Sequence, residues 1–188
     1  MRIVKTPLQG LLLSFVCYGF FSTPSFASAD FRSEKIHTAD IKKTKAYVRD
    51  GLIIGGDRAI NDVIIKGIRK GTNGESSETF ERVVVDLTGT TNGEITDIQR
   101  PPYYQLSVSP EERRLIVSIW GRPKLNFNAQ KVTSAFKRSS VIQNVVLLPR
   151  LEEDSWTFVL ELKAESPVEV FELSNPVRLV MDIQRKKN

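Results

Sequence analysis

From residue 52 to residue 183 the chain is written in short β-branched and aromatic runs cut by Gly, Pro, Asn and Ser. Such runs read as strands joined by turns. Parallel neighbours would need crossovers of a dozen or more residues, usually helical, and the sequence has no room for a series of these. The pattern therefore predicts strands over residues 63–69, 82–87, 103–108, 114–120, 142–148, 156–162, 168–173 and 178–183. Residues 51–56 (Gly-Leu-Ile-Ile-Gly-Gly) read as a strand and a turn. Polar linkers fall at 70–79, at the turn 88–93 and at the hairpin loop 152–155. One helix is expected over 129–137, capped by Asn128, with Val132, Ala135 and Phe136 on one face. The fold class is mainly β: an antiparallel β-sandwich or flattened barrel with one short helix.

Three of these strands repeat one wording: Arg82-Val-Val-Val-Asp-Leu87, Arg114-Leu-Ile-Val-Ser-Ile119 and Arg178-Leu-Val-Met-Asp-Ile183. The repetition points to two related halves. Side chains alternate along a strand, so Arg82, Val84 and Asp86 share one face and Val83, Val85 and Leu87 the other. The same reading puts Arg178 and Asp182 together on an outer face. Paired Arg and Asp on such a face are equally the ordinary scaffold of a sandwich, where an exposed ion pair is worth about 0–1 kcal/mol.

Two segments resemble a known family. Phe80-Glu-Arg-Val-Val-Val-Asp-Leu-Thr-Gly89, entered from a Gly-rich loop, is similar to the first core motif of AMIN and AMIN-like domains. Pro167-Val-Glu-Val-Phe-Glu-Leu-Ser-Asn-Pro-Val-Arg-Leu-Val-Met-Asp-Ile183 is similar to their closing motif, an extended strand, a proline turn and an Arg-led strand. The resemblance spans residues 62–183. It implies a β-sandwich module of bacterial envelope proteins, one that targets or binds cell wall beside amidases and secretins and does no catalysis itself.

The N-terminus reads independently as an export signal. Arg2 and Lys5 precede an apolar run over 8–21, Pro24 breaks it, and Ala27-Ser28-Ala29 supplies the small residues a signal peptidase accepts. The run is shorter than the about 20 residues of a bilayer span. Cleavage is expected after Ala29, leaving a periplasmic or otherwise exported protein. Cys17, the one cysteine, would leave with the signal, so the mature chain has no disulfide or thiolate site. Removing Arg2 and Lys5 takes the formal charge from +5 to +3, mildly basic and no signature of a nucleic-acid binder. Residues 30–50 are charge-rich without sustained periodicity and read as a solvated tether, with a short helix over 38–47 as the alternative; residues 51–183 form the AMIN-like domain and 184–188 a charged tail.

The chemistry expected of an enzyme is missing from the core. The one histidine, His37, falls in the tether and reads as a solvated linker residue, so a Ser-His-Asp triad or a histidine metal site has no member in the domain. The acidic run Glu152-Glu153-Asp154 has no calcium-loop spacing and reads as a solubilising loop. No cofactor, metal or catalytic residue is expected. The expected function is a non-enzymatic envelope module binding peptidoglycan or targeting to an envelope complex. The alternative is an accessory protein–protein interaction factor of a pilus or secretin apparatus, docking by strand addition or through the tether. Candidate binding residues are Arg82, Asp86, Arg178, Asp182 and the pair Tyr103 and Tyr104, whose rings could stack on sugars.

Overall fold

The computed structural model describes residues 36–40, 42–71 and 79–185. The chain divides into two units, 1–32 and 33–188, the first wholly outside the described residues. The expected export signal, residues 30–35, most of the 70–79 loop and the last three residues also lie outside them.

The described elements run β1 (Ile36–Thr38), β2 (Gly51–Gly55), β3 (Val63–Lys70), β4 (Phe80–Thr91), β5 (Glu94–Thr96), β6 (Tyr104–Ser109), β7 (Arg114–Trp120), β8 (Lys124–Leu125), α1 (Ala129–Phe136), β9 (Ile142–Leu147), β10 (Ser155–Leu162), β11 (Val168–Ser174) and β12 (Val177–Gln184). They build two sheets. The first has the order β1-β2-β6-β7-β10-β9; the second runs β11-β12-β4-β3-β8, with β5 added to β4. Neither closes into a barrel. Most neighbours are antiparallel, but β1 runs parallel to β2 and β8 parallel to β3, so both sheets are mixed. The two parallel strands are short additions at sheet edges, reached by irregular chain rather than by crossover helices.

The expected strands and helix form close to where the alternation places them. Asn128 caps α1 by accepting the Lys131 N–H at 2.9 Å, and Val132 and Phe136 turn inward. One boundary moves. Residues 88–93 read as a turn, yet β4 continues through Thr91 and the reversal narrows to Asn92-Gly93. Both have positive φ, 52° and 87°, the conformation that a two-residue hairpin matched to strand twist demands.

The core lies between the sheets. The first contributes Leu106, Val117, Ile119, Trp156, Phe158 and Leu160; the second contributes Ile65, Val83, Val85, Leu179, Met181 and Ile183. In the first sheet burial strictly alternates along β6, β7 and β10, the mark of one face in the core and one toward solvent. In the second sheet β11 and most of β12 are buried on both faces.

The cause is the segment read as a solvated tether. Its described residues pack on the domain. β1 pairs with β2, the Glu172 N–H donates to Asp40 O at 3.0 Å, and Val48 exchanges two 2.8 Å bonds with Val168. Residues 36–40 and 42–48 thus leave the edge of one sheet, pass over the edge strand β11 of the other and return as a strap. Composition concealed this because the strap is held mainly by backbone bonds and by charges whose partners lie more than 120 positions away. His37 is likewise not a solvated linker residue: it sits in β1 opposite Ile53, and its Nε2 is buried without a hydrogen-bond partner.

Candidate functional site

The outer face of the second sheet carries the Arg and Asp residues singled out in the sequence, in an arrangement that alternation along one strand could not give. The register sets Glu169 opposite Asp182 and Asp182 opposite Arg82, so one row crosses β11, β12 and β4. Arg82 holds Asp182 through Nε at 2.6 Å and Nη2 at 2.8 Å. The expected pairings along a strand, Arg82 with Asp86 and Arg178 with Asp182, are thus replaced by pairing across strands: Asp182 goes to Arg82, Asp86 stands opposite Arg178, and Arg69 Nε reaches Asp86 at 2.8 Å. Nearest neighbours across a ladder lie closer than residues four apart along it.

This row is covered. Asp182 and Glu169 are fully buried beneath the strap. Lys43 comes down on Asp182 at 2.5 Å and lies 4.0 Å from Glu169, while the Thr44 and Lys45 N–H groups donate to Glu169 Oε1. Phe80 lies under both cations, with Lys43 Nζ 3.7 Å and the Arg82 guanidinium 5.5 Å from its ring centre. Burial, and then the Asp182 and Glu169 carboxylates, push the Tyr47 phenol above its ordinary value, against the opposing pull of Arg82. Two buried carboxylates need such partners to offset the water they have given up. The cluster is a clasp that fastens the strap.

Tyr104 also departs from its expected role. It is fully buried, its hydroxyl 3.3 Å from Glu172, which accepts from Arg100 at 2.9 Å and from the Gly56 N–H at 2.8 Å. Burial, and then the Glu172 charge, drive its phenol far above the ordinary range. Consecutive residues of a strand point to opposite faces, so the Tyr103-Tyr104 pair could not present both rings to one ligand.

Tyr103 faces the other way, on the outer surface of the first sheet. Its ring centre is 5.2 Å from that of Trp120, tilted by 49°, and the Arg58 guanidinium stands 4.4 Å above it. Gln105 donates to the Tyr103 hydroxyl at 2.7 Å, and the Ser118 and Thr157 hydroxyls meet at 2.8 Å in the adjoining row. All six are half-buried or exposed. Positioning comes from the loop before β6. The Asp57 N–H donates to Pro101 O and the Tyr103 N–H to Asp57 O. Gly56, at φ 78°, backs onto Pro102, where a Cβ would lie 2.0 Å from the carbonyl oxygen. Trp120 is not among the residues the sequence singles out, although the alternation of β7 puts it with Ile116 and Ser118 on this face.

The described residues contain no cluster of three or more His, Cys, Asp or Glu side chains able to hold a metal ion. The outer face of the first sheet thus groups two aromatic rings, two hydroxyls and an amide. No curated protein matches the chain. A family model, described as the AMIN-like domain, matches residues 63–185, from the start of β3 to just past the end of β12. The chain belongs to the AMIN-like domain family.

Proposed function

We propose that this protein is an exported, non-enzymatic envelope module that binds the glycan strands of peptidoglycan across the outer face of its first sheet. One observation carries the reading: an aromatic pair, Tyr103 and Trp120, stands beside hydroxyl and amide groups on a sheet face that burial alternation leaves toward solvent. Sugar rings have apolar faces and polar edges. Aromatic rings suit the faces, and Gln105, Ser118 and Thr157 suit the edges. Membership of the AMIN-like family supports an envelope module, and the N-terminal export signal read from the sequence supports its location. Among the described residues no helix is long and apolar enough to cross a membrane.

The test is sedimentation of the mature chain with insoluble peptidoglycan over a range of salt. The reading expects co-sedimentation that resists salt and falls about two- to tenfold in each of Tyr103→Ala and Trp120→Ala, since stacking on an aromatic side chain is worth about 0.5–1.5 kcal/mol beyond area burial. Binding absent, or lost at modest salt in every variant, overturns it. Crosslinking for a pilus or secretin partner would then follow.

A further inference from the structure

A concave site lies at the opposite sheet. Between β3, the segment 126–128 and α1 runs a groove of about 440 Å³, lined by Lys66, Arg69, Phe127, Lys131, Val132 and Ala135, with Gly67 and Asp86 in its floor. Three properties set it apart. β8 pairs with β3 only at Ile64 and Ile65, and the Asn126 N–H closes on Ile65 O. Among the described residues no strand continues along the edge from Lys66 to Lys70. The ladder to β4 shifts register between Ile65 and Gly67, so Lys66 is a bulge residue outside the pairing. A Cβ built on Gly67 meets nothing within 4 Å, so the space above the bulge is open.

Among the described residues the charge is largely one-sided. Arg69 is engaged with Asp86, while the Lys66 and Lys131 ammoniums have no carboxylate partner among the described residues. An open strand edge offers backbone donors and acceptors to an extended chain, and Phe127, Val132 and Ala135 supply an apolar wall. A free inorganic anion would use the lysines but neither the edge nor the wall.

We propose that this groove binds the peptide stem of the cell wall, laying it along the Lys66–Lys70 edge with its carboxylates on Lys66 and Lys131. The proposal rests on the wall-binding reading above and assigns the peptide to a surface separate from the glycan face.

The experiment titrates the mature chain by calorimetry with two probes made from one peptidoglycan sample by an amidase: the released peptide stems, and the denuded glycan strands. Stems are expected to bind the parent chain. They should bind about tenfold or more weakly to Lys66→Glu/Lys131→Glu, and after their carboxylates are amidated, because each charge-assisted bond is worth about 1.5–3 kcal/mol. Gly67→Phe should fill the groove and abolish stem binding with the melting temperature unchanged, and leave glycan binding intact. Tyr103→Ala should do the reverse. Stems that bind Gly67→Phe as tightly as the parent, or fail to bind the parent while glycan binds, overturn the groove and leave the glycan face standing. Neither probe binding overturns both. An unrelated acidic tetrapeptide of L-residues binding as well as the stems would also overturn the assignment to wall peptide.

Discussion

Arg82 stands directly across the β4–β12 ladder from Asp182 and grips it with two nitrogens, at 2.6 and 2.8 Å, in a row whose third member, Glu169, is also fully buried. Removing Arg82 leaves two carboxylates out of water with Lys43 as the cation that reaches both among the described residues. Arg82→Ala is expected to lower unfolding free energy by about 3–5 kcal/mol, the cost of stranding buried charge. Urea denaturation reads this. A loss below about 1 kcal/mol would mean that the row is not desolvated as its burial implies.

Deleting the strap should act on the same row from above. A chain beginning at Gly51 loses the Lys43 ammonium, two N–H donors to Glu169 and both bonds to Val168. It also uncovers the outer face around Phe171 and Val180. The truncated domain is expected to melt well below the full mature chain and to bind a hydrophobic dye. Equal melting temperatures would return residues 36–50 to the status of a linker.

Alkaline pH should unfold the protein earlier than its ordinary tyrosines would suggest. The phenols of Tyr47 and Tyr104 are both raised in the folded state, so the unfolded chain releases these protons first. Their contribution is complete below the ordinary phenol value of 10.0 and is lost as pH rises beyond it. Denaturant midpoints measured from pH 8 to 11.5 should fall, and Tyr47→Phe should flatten part of the slope. An unchanged slope in that variant would refute its share.

The acid limb depends on Glu81, buried where the chain after α1 returns to the core. Burial alone would raise its carboxyl. Hydrogen bonds from Ser139 and Ser140 and the nearby Lys70 charge outweigh that and hold it below its ordinary 4.5. A lowered carboxyl contributes stability that is complete above 4.5 and lost as pH falls. Glu81→Gln should therefore be less stable than the parent at pH 7 and lose less on acidification to pH 3, as followed by circular dichroism.

Gly56→Ala tests what positions the glycan face. Positive φ alone costs a side chain about 1–3 kcal/mol, and the new Cβ would strike the Pro102 carbonyl. The variant should be destabilised and should weaken peptidoglycan binding beyond its loss of folded fraction, because Asp57 next to it holds Tyr103 in place. Wild-type binding at equal folded fraction would separate Tyr103 from this loop.

The sequence alone determined every described strand except the short β1, β5 and β8, the helix with its Asn128 cap, the alternation that divides inner from outer face, and the family. Each depends on residues within a few positions of one another, and period-two burial is written into every such segment. The same alternation places Tyr103 and Tyr104 on opposite faces. Tertiary structure alone decided the rest. Arg82 meets Asp182 across 100 positions and Lys43 meets it across 139. These contacts follow from strand order and register, which no local pattern encodes. The same long-range placement turned a charged, aperiodic segment into a strap, because isolated charges become structural once a fold sets buried opposite charges beneath them. It also separated an exposed aromatic face from the buried ionic row that the repeated Arg-led strands had brought to notice.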